Sequence, residues 1–322
     1  MGKILNALKT ANGDIPDLVM RCLDDSGAAP EVRPVSHRRA SATAVVEPIF
    51  EMPAAEPPSL QDEAIEEPWA AVTEPEAIPG MPARWISLRV SDAAPLLSPS
   101  GDAQRAAEQY RIVRTKIFHQ VQTSSVTVVS SPGVGDGKTV TAVNLSAALA
   151  LKSDDKVILV DADLRLSRVH ERLGMPKSPG LAEVLARRCA LEDAVLRVEE
   201  LPNFYILPAG QPPGNPTELL DSANWRDLVA RMRDEFRRTI IDSPPIEAVA
   251  DYDLIAASCD SVLLVVRPDH TQRRLLTSAL AKTKGRLTGV LINDARDWFL
   301  WKHASPSYHY YQNGSRSAKY GK

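Results

Sequence analysis

The chain has 322 residues, of which 44% are apolar and 25% are charged, a composition typical of a globular protein. Its formal net charge of −3 predicts no general attraction to nucleic acid. The three cysteines, Cys22, Cys189 and Cys259, show neither a metal-binding spacing nor a disulfide framework, which favours a reducing cytoplasm. There is no apolar run of about 18 residues and no signal peptide. We therefore expect a soluble protein, or one attached to a membrane only through something else.

Residues 1–95 are predicted to form a mostly disordered leader. They are rich in proline, alanine and glutamate, and residues 41–80 contain acidic residues but neither lysine nor arginine. Such a segment buries too little apolar surface to offset the entropy that a chain loses on ordering. At its start, the spacing of Ile4, Leu5 and Leu8 predicts either a short docking helix or a frayed end.

An ordered domain is predicted over 96–300, followed by a flexible tail over 301–322. The pattern predicts a helix over 104–122 and a second one after residue 138, with an apolar face formed by Val140, Val143, Ala147 and Leu151. Short apolar runs predict buried strands at 125–131, 156–165, 204–210, 238–245, 261–268 and 289–294. Because strands alternate with helices, the predicted fold class is α/β, with a doubly wound, mostly parallel sheet flanked by helices.

The segment SPGVGDGKT, residues 131–139, lies between a predicted strand and a predicted helix. Parallel sheets bind ligands at this edge, and the helix adds its unpaired N-terminal amides and the positive end of its dipole. Its glycines allow backbone amides to turn toward an anion, so the segment is interpreted as a P-loop, with Pro132 in place of one motif glycine. An ordinary glycine-rich turn is the alternative. The predicted nucleotide-binding residues are Gly133, Val134, Gly135, Asp136, Gly137, Lys138, Thr139 and Val140.

Three aspartates end predicted strands next to this loop. Asp161 and Asp163 lie two residues apart and so on one side of their strand, and Asp242 ends another strand. Carboxylates in such places are costly unless they have a task, and capping of the next helix is the alternative for the first two. We predict that Thr139, Asp161 and Asp242 hold Mg²⁺. The predicted catalytic residues are Lys138, Asp161, Asp163 and Asp242.

From about residue 103 onward, the sequence resembles the bacterial tyrosine kinases of polysaccharide export, the capsular and exopolysaccharide autokinases. Five motifs occur in the order of that family: VDADLR (160–165), GLAEVL (180–185), LPAGQPPGNPTELLDS (207–222), IIDSPP (240–245) and VADYD (249–253). The resemblance implies a sheet of the deviant P-loop ATPase type, ATP and Mg²⁺ as cofactors, and tyrosine autokinase activity that regulates polysaccharide polymerisation and export.

The resemblance also assigns residues outside the loop. EQYRIVR implies subunit packing into a ring through Glu108, Arg111 and Arg114, for which an intrahelical ion pair is the alternative. Two further roles follow from the positions of the residues themselves: Asp163 is predicted to accept or orient the tyrosine proton, and Asn293, at the end of a late strand, to contact adenine. The predicted phosphoacceptors, in the tail of a neighbouring subunit, are Tyr308, Tyr310, Tyr311 and Tyr320.

The expected partners follow from the same resemblance. They are a membrane chain-length-determinant protein, a polysaccharide co-polymerase whose cytoplasmic end completes the nucleotide site and activates the kinase, and a cognate phosphatase. The protein is expected in the cytoplasm, peripheral to the inner membrane through its partner. A positioning or partition ATPase is the first alternative, although residues 130–136 lack the additional lysine of that class. A non-catalytic nucleotide-binding scaffold is the second.

Overall fold

A computed structural model describes residues 3–7, 82–89, 103–120, 124–151 and 155–295. All of them belong to one of the two units into which the chain divides, and the other unit, residues 28–80, lies outside the described ranges. Apart from residues 3–7 and 82–89, the predicted leader lies outside these ranges, as does the predicted tail, so the disorder of the rest of the leader and the flexibility of the tail stay predictions.

Nine strands of the described residues form one sheet. In chain order they are β1 Lys3–Ala7, β2 Arg84–Ile86, β3 Ser125–Ser130, β4 Val157–Asp161, β5 Leu196–Val198, β6 Phe204–Leu207, β7 Arg238–Asp242, β8 Ser261–Val266 and β9 Leu287–Ala295. The spatial order is β1-β9-β8-β3-β7-β4-β6-β5-β2, and the six strands from β9 to β6 are parallel. The predicted mostly parallel sheet is therefore confirmed.

The helices of the described residues cover both faces of this sheet. They are α1 Ala103–Gln120, α2 Lys138–Ala150, α3 Val169–Leu173, α4 Leu181–Leu185, α5 Leu191–Ala194, α6 Pro216–Leu220, α7 Ala223–Glu235, α8 Asp251–Ala257 and α9 Arg273–Thr283. Neighbouring strand residues point to opposite faces. Ile240 accordingly packs in the core cluster under α1 and α2, and Ile241 packs in the cluster under α4, α7 and α8. None of the described helices combines the length and the apolar character that crossing a membrane requires.

Helix α2 is buried on more sides than the sequence pattern predicts. Every residue from Thr141 to Ala150 is buried, not only one apolar face, whereas Leu151 at the end is exposed. The cause is α1, which was predicted and which lays Tyr110 and Val113 on the outer side of α2, within the same core cluster. The phosphate loop is thus followed by a helix fixed between the sheet and a second helical layer.

Two strands from the leader close the edges of the sheet. β1 pairs antiparallel with β9, and β2 pairs parallel with β5. Of the two alternatives for the amino terminus, a docking helix or a frayed end, neither describes residues 3–7, because they form a strand with backbone hydrogen bonds to the edge of β9. The short strands β1, β2 and β5 were all absent from the prediction, and β2 precedes the predicted domain start at residue 96.

Residues 82–89 continue past β2 and reach the end of α3. The amide of Glu199 donates to Ile86 O at 3.0 Å, and the amide of Arg89 donates to Leu173 O at 3.1 Å. Leu173 is the last residue of α3, and Gly174 follows it with φ of +60°. A Cβ atom at Gly174 would lie 2.7 Å from Arg89 O, so the absence of a side chain permits this contact.

We predict that Gly174→Ala lowers the free energy of unfolding by about 2 kcal/mol, half from the left-handed backbone and half from the lost room for Arg89. Urea denaturation would measure the loss. Gly285→Ala is the matched control, because Gly285 also has a positive φ, +91°, but has open space around it. Equal losses for the two variants would contradict the contact with residues 82–89.

Candidate active site

The loop at residues 131–139 connects β3 to α2 at the carboxyl end of the sheet. Gly135 and Gly137 have φ of +90° and +101°, a region that disfavours side chains, whereas Gly133 does not. Gly137 is the N-cap residue of α2 and no side chain caps the helix there. The first amides of α2, around Lys138 and Thr139, are therefore left for a ligand, as the predicted anion site requires.

Asp136 does not point toward a ligand. Its carboxylate is almost completely buried and accepts hydrogen bonds from the Gly133 amide at 3.1 Å and from Thr271 Oγ1 at 2.7 Å. Burial raises its pKa, and the bonds from Thr271 and Gly133 oppose that rise. Of the predicted nucleotide-binding residues, Asp136 can therefore offer a phosphate only its amide, while Val134 is exposed on the loop and Val140 is half-buried in the first turn of α2.

Asn293, the predicted adenine contact, lies against the loop. Its Nδ2 donates to Asp136 O at 3.0 Å, and a Cβ at Gly137 would come within 2.0 Å of that nitrogen. The structure thus gives Asn293 a role in bracing the loop that the sequence did not indicate. Its contact with adenine stays a prediction.

Lys138 lies between two of the three predicted acids. Its Nζ is 3.1 Å from Asp163 Oδ2 and 4.0 Å from Asp242 Oδ1. Burial alone would lower the pKa of Lys138, but Asp242 and Asp163 together raise it above its ordinary value. The lysine is therefore a firm positive charge at the start of α2, where phosphate groups would bind.

Asp161 is occupied by its own chain. One carboxylate oxygen accepts from the Asp163 amide, and the other accepts from Ser167 Oγ at 2.8 Å and from the Val169 amide at 3.2 Å. Burial, followed by repulsion from Asp242, raises its pKa to about 7. The alternative of helix capping thus describes part of what Asp161 does, because Val169 begins α3; its metal role stays a prediction.

Asp242 is the one of the three acids whose carboxylate accepts no hydrogen bond from the described residues. It is fully buried, and neither of its carboxylate oxygens has a hydrogen-bond partner among the described residues. Burial raises its pKa, against the effects of Lys138 and Thr139. Orphaned carboxylate oxygens beside a hydroxyl are hard donors that suit Mg²⁺, which usually keeps several waters. The described ranges contain no group of three or more His, Cys, Asp or Glu able to hold a metal ion.

A second charged cluster joins three sequence motifs beside the site. Arg165 Nε donates to the buried Asp251 Oδ2 at 2.7 Å, and its Nη2 donates to Thr217 Oγ1 at 2.9 Å. Thr217 in turn donates to Asp251. Burial would raise the pKa of Asp251, but the bonds from Arg165 and Thr217 lower it below its usual value. The three motifs carry the family resemblance, but Arg165, Thr217 and Asp251 are not among the predicted site residues.

The three residues of the predicted subunit contact lie on α1. Glu108 and Arg111 form an exposed ion pair at 2.9 Å, as the alternative stated, and Arg114 donates to Ala148 O at 3.0 Å within its own chain. Subunit packing through this helix stays a prediction. The four tail tyrosines, beyond residue 295, are not among the residues that the structure describes.

A family model described as an AAA domain matches residues 124–284. The tyrosine-protein kinase YwqD of Bacillus subtilis is 35% identical over 208 residues, which cover 63% of this chain and 86% of that protein. The chain belongs to the bacterial tyrosine-protein kinase family. The tyrosine-protein kinase ptk of Acinetobacter johnsonii is 32% identical over 205 residues, 62% of this chain, which spans 28% of the length of that relative. The kinase domain of the Escherichia coli tyrosine kinase ETK matches with a TM-score of 0.56 and 28% identity, and the match covers 61% of this chain and 78% of that domain.

These findings confirm the predicted family, the predicted α/β fold and the predicted enzyme class, that of the tyrosine kinases. A phosphate loop within an AAA domain also supports the use of a nucleotide and of magnesium in general. The roles of single residues within the family's site stay predictions.

The uneven pairing of the buried acids can be tested by substitution. We predict that Asp242→Asn raises the free energy of unfolding of the nucleotide-free protein by about 1 kcal/mol, because a neutral amide is cheaper to bury than an orphaned carboxylate. The same variant should lose the extra stability that Mg·ADP gives the parent protein. Urea denaturation in EDTA and in Mg·ADP would measure both.

Asp251→Asn is the matched control, a buried aspartate that has its partners. Its free energy of unfolding should fall by about 1–3 kcal/mol at neutral pH, because the pair with Arg165 is lost. Since pairing lowers the pKa of Asp251, its stabilisation is present at neutral pH and disappears only as the pH falls below about 4. If nucleotide-free Asp242→Asn lost as much stability as Asp251→Asn, the claim that the Asp242 carboxylate has no hydrogen-bond partner in the nucleotide-free protein would be contradicted.

Proposed function

We propose that the protein is an ATP-dependent protein tyrosine autokinase that regulates the polymerisation and export of an exopolysaccharide or capsule. Its substrates are tyrosines in the carboxy-terminal tail of neighbouring subunits, Tyr308, Tyr310, Tyr311 and Tyr320. The observation that carries the proposal is the position of Lys138 at the start of α2, 3.1 Å from Asp163 and 4.0 Å from Asp242, whose carboxylate accepts no hydrogen bond among the described residues. The positive charge of Lys138 is thus available for phosphate, the carboxylate of Asp242 for a metal ion and the carboxylate of Asp163 for the tyrosine hydroxyl.

Lys138 and the loop amides bind the β- and γ-phosphates in this proposal. In the structure Lys138 donates to Asp163 Oδ2, and phosphate oxygens would compete for that bond. When Lys138 turns to the phosphates, Asp163 Oδ2 becomes free to accept a proton from the attacking tyrosine. The other oxygen of Asp163 stays fixed by the Leu166 amide at 3.0 Å, so the carboxylate keeps its orientation. Such help matters because a free tyrosine has a pKa of about 10.

Thr139, Asp161 and Asp242 would hold Mg²⁺. The bound ion supplies positive charge to the phosphate oxygens as the γ-phosphoryl group is transferred. Asp161 accepts a hydrogen bond from the Val169 amide and so holds the start of α3 next to the site. We assign Asp161 to the catalytic set through this positioning and through its negative charge beside Asp242.

The assembly that we propose is a ring of subunits packed through three residues of α1, the exposed Glu108 and Arg111 and the half-buried Arg114. A membrane chain-length-determinant protein activates the kinase and keeps it, in the cytoplasm, at the inner membrane, and a cognate phosphatase reverses the modification. Each phosphate adds about −1.5 to −2 charges to a tail, so phosphorylated tails in one ring would repel each other. The kinase would then cycle between ring and free subunits.

The experiment is a phosphotyrosine map of the full chain after incubation with Mg·ATP and the cytoplasmic segment of the partner. We expect phosphate on the tail tyrosines and a loss of at least about 100-fold in Lys138→Met, which removes the charge on the phosphates. Lys282→Met is the matched control. Lys282 lies on α9 and forms an ion pair with Glu247, so its loss should leave the modification unchanged.

Other outcomes select the alternatives. ATP hydrolysis without phosphotyrosine would indicate a positioning or partition ATPase, and nucleotide binding without either would indicate a scaffold. Equal tail phosphorylation in Lys138→Met and the parent protein would contradict the proposed roles.

A further inference from the structure

We propose that Thr271 is a positioning residue for the kinase reaction, which sets the shape of the phosphate loop through Asp136 and thereby the affinity for Mg·ATP. This inference rests on the proposed function of the loop as the nucleotide site. Thr271 belongs to the segment Arg267–Thr271, which connects β8 to α9 and which we name the brace. No contact of Thr271 with a nucleotide is required.

The hydroxyl of Thr271 has both of its hydrogen-bonding capacities in use. It accepts from the Arg267 amide at 2.8 Å and donates its single proton to Asp136 Oδ1 at 2.7 Å. The second oxygen of Asp136 accepts from the Gly133 amide at 3.1 Å. A continuous chain of hydrogen bonds therefore runs from the backbone of the brace, through two side chains, to the first glycine of the loop.

Two further contacts hold the loop against the same region. His270 Nε2 lies 2.9 Å from Val134 O, and a Cβ at Gly135 would come within 2.7 Å of that nitrogen. Asn293 Nδ2, from β9, donates to Asp136 O. Each contact engages a carbonyl or the outer side of the loop and leaves the amides of the helix start to a phosphate.

The brace itself is anchored to the sheet. The Arg267 guanidinium donates to Asp294 Oδ2, with Nε at 2.9 Å, and Asp294 follows Asn293 at the end of β9. The amide of Thr271 donates to Arg267 O at 2.9 Å, which closes the turn before α9 begins. Hydrogen bonds thus connect the loop, through the brace, to the ends of two parallel strands, β8 and β9.

Such bracing has an energetic reason. A loop with two glycines at positive φ can adopt many backbone conformations when it is not held. A ligand that binds only one of these conformations binds less tightly, because the loop must be ordered on binding. The carboxylate of Asp136 adds a penalty, since it is 1% exposed and loses a partner if Thr271 cannot donate. Without the hydroxyl, Asp136 would turn toward water and release the Gly133 amide.

The test compares Thr271→Val, which keeps the shape but removes the hydroxyl, with Thr271→Ser, which keeps the hydroxyl. For Thr271→Val we expect the Kd for Mg·ADP and the KM for Mg·ATP to rise about tenfold, with kcat within about twofold of the parent value. Thr271→Ser should restore both constants to within about twofold. Thr277→Val is the matched control on α9, where the hydroxyl only donates to Arg273 O, and should change neither constant.

A second variant keeps the inference testable if Thr271→Val does not fold. Asp136→Asn has the same shape but only one acceptor oxygen, so it cannot serve both Thr271 and Gly133, and it should weaken Mg·ADP binding to the same degree. Unchanged Kd values in Thr271→Val or in Asp136→Asn, or equal weakening in Thr271→Ser, would overturn the inference. Binding of Mg·ADP is measured by calorimetry without any phosphotyrosine, so the inference and the proposed kinase activity can fail separately.

Discussion

The burial of charge around Lys138 is the constraint on which the rest of the site depends. Three carboxylates, those of Asp161, Asp163 and Asp242, are nearly or fully removed from water at the carboxyl end of the sheet, with one lysine beside them. Removing so many acids from water is expensive unless each has partners. Asp161 is satisfied by its own chain and Asp163 by Lys138 and a backbone amide, whereas Asp242 accepts no hydrogen bond among the described residues and has Lys138 Nζ 4.0 Å away as its opposite charge. The fold thus leaves a buried carboxylate only partly compensated beside the phosphate loop, where a bound cation would stabilise it.

The parallel sheet makes this concentration of charge unavoidable. β4 and β7 are neighbours in register, with Asp161 opposite Asp242, and β3 on the other side of β7 runs into the phosphate loop. Strands that run in one direction bring their ends, and the loops after them, to a single edge. The helix layers then fix α2 from outside, so the backbone of Lys138 is held beside the acids while its side chain can still turn toward bound phosphates.

The sequence predicted the centre of the fold because the central strands are uninterrupted apolar runs and the P-loop is a strong motif. It could not predict β1, β2 and β5, because each has only three to five residues and is stabilised by a distant partner strand. The candidate acids were found from their places at strand ends. What each acid does was not, since the capping of α3 by Asp161 depends on where α3 lies in space.

Residues that brace the loop were harder to find for the same reason. Thr271 lies 135 residues from Asp136 in the chain, and Asp251 lies 86 residues from Arg165. No local pattern marks such pairs, and Asp136 itself was interpreted as a ligand residue because of its place inside the motif. Asn293 was noticed for its place at the end of a strand, but its amide was assigned to adenine and not to the loop.

The most direct test of this account is a crystal structure with Mn²⁺ and a non-hydrolysable ATP analogue, in which anomalous scattering locates the metal. The account predicts one Mn²⁺ ion between Thr139 and Asp242, directly or through water, with the β- and γ-phosphates surrounded by residues 133–139 and contacted by Lys138. Phosphates bound elsewhere, or a metal ion away from Asp242 with the loop empty, would contradict it.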